Sequence, residues 1–327
     1  MIKKNIHGRL LLVRADGGSS IGFGHIMRSM AIAEEWLLRG GRCLWLTTSP
    51  EALKAAGSSR DVESVLLAAP SGGQEDAAAT RRLAEANDTA WVLADLFTYS
   101  PAYFASAGAR KAKWMILADE PVTIGERIDA VLSPGPQASP DFYPGRSGKC
   151  ELLLGLDYTL LRGELRMRPQ AGRERPDRPG RILITFGGSD PLDVAWRTLV
   201  EISRHVPSPH VRWRVILGPG YRGRCPGDAE AFGDLQVEFV RYTSDMGHHY
   251  NWADLILCGA STTLWEAFFF GAPAVVIPAA GNQGRVFEAL RQYPAAKCFS
   301  APDAVFSDWL RGAIDGAEAG WMSMASA

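Results

Sequence analysis

Six short apolar runs pace the first half of the chain: "RLLLV" (9–13), "RCLWLTT" (42–48), "VESVLLA" (62–68), "AWVLAD" (90–95), "WMILAD" (114–119) and "IDAVLS" (128–133). Each is nearly continuous in hydrophobic residues, the signature of parallel strands buried on both faces. Helical patterns over 24–39, 74–87 and 101–111 fall between them, and such an alternation predicts a doubly wound sheet. After the Arg/Pro-rich stretch 162–181, which reads as a solvated linker, the plan restarts. "RILITF" leads into "GGSDP" and an amphipathic stretch to about residue 205, followed by "RWRVIL", "LQVEFV", "DLILC" and "PAVVIP". The fold class expected is α/β, with two Rossmann-like doubly wound domains facing a cleft. Their expected bounds are 1–165 and 181–327, with a linker over 166–180.

Bulk properties remove several function classes. With 327 residues and 46% hydrophobic content, the chain can fill two cores. A net charge of −1 gives no overall pull toward nucleic acid or anionic lipid. The cysteines (Cys43, Cys150, Cys225, Cys258 and Cys298) are scattered and form no C-x-x-C pair, which points to reduced thiols in a cytoplasmic protein. The N-terminal apolar run is too short for a signal peptide. The apolar segment 262–281 contains Glu266, Gly271, Pro273 and Pro278, which fit a buried helix, a turn and a buried strand rather than a membrane span. The expectation is a cytoplasmic monomer that binds neither nucleic acid nor membrane.

Chemistry concentrates first in "IGFGHIMR" (21–28). Helix 24–39 carries an apolar stripe of Ile26, Met30, Ala33 and Leu37, with His25 in the first turn beside it and Arg28 one turn on. Gly22 and Gly24 permit positive φ and close backbone approach. A dinucleotide fingerprint would need glycine where Met27 stands and an acidic residue after the second strand, which ends "LWLTTS". A P-loop is excluded because no G-K-[ST] follows. A histidine in this position is either a satisfied polar contact or a base, and the helix macrodipole favours the neutral ring that a base requires.

Two further turns have ligand-binding character. In "ITFGGSDP", Gly187 and Gly188 precede Ser189, Asp190 and Pro191, which supply N-cap chemistry, and free N–H groups there would suit a phosphate. In "GASTTLWEAFFF", the residues Ser261, Thr262 and Thr263 open a helix and form a cradle for a diphosphate. Glu266, one turn in, either caps a local N–H or accepts hydrogen bonds from ligand hydroxyls. Asn282 and Gln283 follow the next strand, within reach of sugar hydroxyls. Asp95 ends a strand at the sheet edge where active-site groups gather. Asp119 and Glu120 are adjacent loop residues that point different ways, which favours a structural role. Asp245, His248 and His249 lack a second cluster and read as a polar helix surface, so no metal site is expected.

Taken together, "RADGGSSIGFGHIMR", "GLDYTLLRGEL", "ITFGGSDP" and "GASTTLWEAFFFGAPAVVIPAAGNQ" resemble the nucleotide-sugar hydrolases of pseudaminic acid biosynthesis. The match runs from about residue 9 to about residue 290 with order and spacing preserved. The resemblance implies the two-domain glycosyltransferase B fold of the MurG-like enzymes. It also implies cleavage of a UDP-linked 2,4-diacetamido-2,4,6-trideoxyhexose to free sugar plus UDP. By position, His25 becomes the base that activates water, with Gly22, Gly24 and Arg28 around the diphosphate and sugar. Gly187, Gly188, Ser261 and Thr262 would face the UDP phosphates, Glu266 the ribose, and Asn282 and Gln283 the sugar. Arg162 falls in the "LLR" element before the domain crossover.

Departures cluster on the sugar side. Asp95-Leu96-Phe97 stands where the family reads Asp-His-Tyr, with Tyr99 as a candidate substitute, and "LSPGP" replaces a Leu-Asn-x-Asn element. The tail "GWMSMASA" also stops short of the family's. The reaction expected is direct attack of water at the anomeric carbon with inversion, independent of metal and cofactor. Its competitors are a glycosyltransferase using an acceptor hydroxyl and a UDP-sugar-binding protein without catalysis.

Overall fold

The computed structural model describes residues 6–18, 22–55, 62–108, 111–166, 176–224, 232–317, 321 and 324. The chain forms two compact units, Met1–Gly163 and Glu164–Ala327. Most of the expected linker, like Ile21 of the histidine loop, lies outside the described residues.

In the first unit, β1 (Leu10–Ala15), β2 (Arg42–Thr47), β3 (Glu63–Leu66), β4 (Thr89–Asp95), β5 (Lys113–Leu117), β6 (Ala130–Ser133) and β7 (Glu151–Leu154) form one parallel sheet. Its order is β3-β2-β1-β4-β5-β6-β7. Helices α1 (Gly24–Leu38), α2 (Pro50–Ala55), α3 (Gln74–Ala86) and α4 (Pro101–Ser106) connect the early strands. The alternation of side chains along a strand explains the unbroken apolar runs. On β1, Leu10 and Leu12 join a core with Tyr103 and Trp114, whereas Leu11, Val13 and Ala15 join a second core with Ile26, Met30 and Trp45. The α1 stripe enters that second core through Ile26, Met30 and Ala33, and Leu37 is only half-buried.

Two expectations need correction. β3 is not buried on both faces: as the edge strand it leaves Leu66 63% exposed. The helix predicted over 101–111 ends at Ser106, where Ala107 turns to extended backbone (φ −67°, ψ 158°). Strand β7 was not anticipated. At the other edge of the sheet, its Leu152, Leu153 and Leu154 are half-buried and Glu151 is exposed, and four residues give little periodicity.

The second unit repeats the plan. Strands β8 (Arg181–Thr185), β9 (Arg212–Leu217), β10 (Gln236–Arg241), β11 (Leu255–Cys258), β12 (Ala274–Val276) and β13 (Ala296–Cys298) pair in parallel in the order β10-β9-β8-β11-β12-β13. Helices α5 (Val194–His205), α6 (Met246–Trp252), α7 (Thr262–Phe269), α8 (Gly284–Leu290) and α9 (Ala304–Asp315) complete it. The apolar segment 262–281 is, as expected, a helix with a buried face, a turn at Gly271 and the buried strand β12. Among the described residues no helix is long and apolar enough to cross a membrane.

Both sheets reverse their winding once, between β1 and β4 and between β8 and β11. In a doubly wound sheet that switch point opens a crevice at the carboxyl ends of the strands, where ligands bind. The motifs read from the sequence lie at these two points.

Candidate active site

In the first unit, the loop after β1 closes on itself before α1 begins. Gly18 and Gly22 exchange backbone hydrogen bonds of 2.9 and 2.8 Å, and Gly22 holds φ at +82°, a conformation open to glycine. Gly24 does not share it: this residue is already helical, and a Cβ there would meet nothing within 4 Å. Gly22 therefore shapes the loop, while Gly24 presents bare backbone at the start of the helix. His25 follows in the first turn.

The carboxylate of Asp95 organises this end of the sheet. Its register partner is Ala15, so it lies at the β1–β4 switch point, fully buried. Oδ1 lies 2.6 Å from His25 Nδ1 and accepts from Arg28 Nη2 at 2.6 Å. Oδ2 accepts from Arg28 Nε at 2.7 Å and from Ser29 Oγ at 3.0 Å. Burial alone would push the Asp95 carboxyl up, but the Arg28 guanidinium and His25 overcome that and hold it well below the usual carboxylate range. Asp95 is thus ionised and can only accept, so the hydrogen between it and His25 sits on Nδ1. The 3.2 Å approach of Arg28 Nη2 to that nitrogen is then a contact between two donors. With Nδ1 protonated, Nε2 is the nitrogen that carries the lone pair whenever the ring holds a single proton.

Arg28 is itself clamped from a second side, its Nη1 donating to Asp119 Oδ2. Asp119 therefore joins the cluster as an ion-pair partner of Arg28, a contact that the sequence reading of the Asp119-Glu120 pair did not include. The available signal was positional: it lies just past the end of β5, the neighbour of β4, at the same sheet edge as Asp95. Also unanticipated is a buried clasp on the β1 side. Arg14 donates to Asp76 through Nε (2.8 Å) and Nη2 (2.9 Å) and to Asp16 (2.7 Å), while Asp16 accepts from Thr48 N at 2.7 Å. This ties the ends of β1 and β2 to the start of α3.

Around His25 the sugar-side departures have clear places. Leu96 is buried, and Phe97 is 52% exposed with its ring edge-on to His25 at 6.1 Å between centroids. Tyr99 is not free to stand in for a missing tyrosine. Its hydroxyl lies 2.7 Å from Ala94 O and 3.0 Å from Leu117 O and accepts Leu96 N–H at 3.2 Å, bracing the ends of β4 and β5. Tyr99→Phe is accordingly expected to lower unfolding stability by about 1–3 kcal/mol, through the buried groups left unpaired, with turnover per folded molecule within about twofold of the parent. Denaturant melts and active-site-normalised rates check this.

The second unit presents the other motifs at its own switch point. Gly187 (φ +80°) follows β8, and a Cβ there would lie 3.7 Å from Thr263 Oγ1 of α7, so the two turns face each other. The loop rests on Gly218 at the end of β9, where a Cβ would come within 2.5 Å of Gly188 Cα. Asp190 supplies the expected capping: its carboxylate accepts from Val194 N (2.9 Å) and Ala195 N (2.8 Å), so the first N–H groups of α5 are taken. The start of α7 differs: its N-cap residue Ser261 makes no side-chain capping hydrogen bond to the helix, and Ser261 and Thr262 are half-exposed.

Glu266 is buried one turn into α7, where Tyr250 Oη donates to its Oε2 at 2.6 Å. Gln283 is turned inward. Its Oε1 accepts from Ala260 N (3.1 Å) and Ala279 N (2.9 Å), pinning the loops after β11 and β12, so that oxygen is spent on the fold rather than on a ligand hydroxyl. Asn282 beside it is exposed. Arg162 is half-buried in the irregular segment before the unit boundary. Asp245 caps α6 by accepting from His248 N at 3.1 Å, and His249, expected on a polar surface, is buried against Arg214 (3.1 Å).

Comparison with known proteins agrees with this architecture. Residues 182–287 match the glycosyltransferase family 28 C-terminal domain. A UDP-N-acetylglucosamine–N-acetylmuramyl-(pentapeptide) pyrophosphoryl-undecaprenol N-acetylglucosamine transferase of Serratia proteamaculans is 29% identical over 108 residues, 33% of this chain and 29% of that protein. Its counterpart from Pseudomonas entomophila is 31% identical over 107 residues, 31% of this chain and 28% of that protein. The chain thus spans less than a third of the length of these relatives. Among solved structures, Acinetobacter baumannii MurG superposes with a TM-score of 0.64 at 17% identity, covering 98% of this chain and 94% of that one. The spinosyn rhamnosyltransferase SpnG, complexed with thymidine diphosphate, gives 0.57 at 16% identity, covering 97% and 94%. The fold is the glycosyltransferase B fold.

Proposed function

We propose that the protein hydrolyses a UDP-linked sugar at its anomeric C–O bond, releasing free sugar and UDP. The observation that carries this reading is the 2.6 Å contact between Asp95 and His25 Nδ1. It leaves Nε2 as a base and provides a carboxylate to stabilise the imidazolium that forms when Nε2 takes a proton. A UDP-sugar already carries a good leaving group, so no covalent intermediate is needed. Water loses a proton to His25 as its oxygen bonds to the anomeric carbon, and the sugar–phosphate C–O bond breaks with its electrons passing to the diphosphate. One displacement inverts the anomeric configuration.

The second unit supplies the nucleotide-binding half of the reaction in this reading. Gly187, Gly188, Ser261 and Thr262 receive the diphosphate, the dipole of α7 stabilises its developing charge, and Glu266 receives the ribose hydroxyls. Gly22, Gly24, Arg28, Arg162 and Asn282 complete the sugar and phosphate contacts. The motif run "GFGHIMR", "GGSD" and "GASTT" favours water as acceptor and a 2,4-diacetamido-2,4,6-trideoxyhexose as the sugar.

A second reading has its own support. The matched family and the relatives are transferases, and His25 would serve equally to deprotonate an acceptor hydroxyl. Release of UDP separates the two. Incubation with UDP-sugars without any acceptor is expected to yield stoichiometric UDP and the inverted free sugar, read by chromatography and proton NMR. Turnover that begins only when an acceptor is added would establish the transferase instead.

A further inference from the structure

Glu266 is a flexible side chain with an unusual task. In the reading above it receives two hydroxyls held in a fixed geometry by the ribose ring. A carboxylate accepts such a pair well only when its plane is set beforehand, because ordering a rotamer-rich side chain at the moment of binding weakens the complex.

The fixed point comes from α6. Tyr250 is fully buried, its ring stands 5.5 Å from that of Phe270 between centroids, and its hydroxyl donates to Glu266 Oε2 at 2.6 Å. A tyrosine has two side-chain torsions, and here both are fixed by burial, so the hydroxyl is a rigid donor. The contact spans 16 residues of sequence and joins two helices of the same unit. We propose that Tyr250 is a positioning residue for the nucleotide: it holds Glu266 in the orientation that receives the ribose diol. The proposal rests on the assignment of Glu266 to the ribose.

The test compares two ligands, UDP and its analogue lacking both ribose hydroxyls, by calorimetry on the parent, Tyr250→Phe, Glu266→Gln and the double variant. Phenylalanine keeps the ring and its packing against Phe270 and removes only the donor. The expected result is that Tyr250→Phe weakens UDP roughly 5- to 10-fold, leaves the analogue within about twofold, and adds nothing in the Glu266→Gln background. The ratio of the two affinities within one preparation does not depend on how much of the variant is folded. Equal weakening of both ligands would assign Tyr250 to packing and overturn the proposal, as would parent-like UDP binding. If Glu266→Gln itself fails to alter the preference for UDP over the analogue, the ribose assignment falls, and this inference with it. If Glu266→Gln abolishes the preference and Tyr250→Phe does not, the inference alone fails.

Discussion

His25→Ala is expected to lower turnover by about 10²- to 10⁴-fold while UDP affinity stays within about twofold. In the proposed reading His25 contributes through a proton transfer present only in the transition state, so its loss falls on kcat. UDP, in the proposed reading, is held by the turns after β8 and β11 and by Glu266. The rate of UDP release from the UDP-sugar, measured at saturation, and the UDP affinity from calorimetry give both halves. Unchanged product formation would remove His25 from its role.

Asp95→Asn is expected to have a comparable effect on rate and a large effect on stability. The amide keeps the shape but loses the charge that accepts from Arg28 twice, from Ser29 and from His25. Arg28 is buried, and removing one partner of a buried ion pair costs about 3–5 kcal/mol. Asp119 retains its contact with Arg28, which places the expected loss near the lower end, about 3 kcal/mol. The same group gives a pH dependence of definite sign. Its folded carboxyl is depressed below the ordinary value of 3.8, so its contribution is complete above that value and is lost as pH falls through the folded value. Asp16, held down by Arg14 against its own burial, acts in the same direction. Denaturant midpoints measured from pH 7 downward should therefore fall below about pH 4 in the parent, and Asp95→Asn should show a flatter profile.

Much of the fold was readable because buried parallel strands write themselves as unbroken apolar runs. Leu10 to Ala15 and Leu255 to Cys258 are buried at every position, and both were located from the sequence. The pattern failed where burial is partial or an element is short. β7 and β13 are edge strands with half-exposed residues, and the end of α4 is set by the backbone at Ala107. At the candidate site, His25 and the "GASTT" segment stood out because turn chemistry is local, and Asp95 because it ends a buried strand at the carboxyl edge of the sheet. Partners that depend on tertiary packing were not. Nothing near Asp119 in sequence signals Arg28, 91 positions away, and Tyr250 looks like any helical aromatic until α6 packs against α7. Asp190 caps the start of α5, as its residue type and place suggested, whereas Gln283, whose residue type suggested a ligand contact, gives its side-chain oxygen to backbone N–H groups nearer at hand.

The central claim is that water, activated by His25, attacks the anomeric carbon of a UDP-sugar. Turnover in water enriched in ¹⁸O tests it most directly, with mass spectra taken on both products. The account predicts one labelled oxygen in the released sugar and none in UDP. Label in UDP would mean attack at phosphorus and would contradict it.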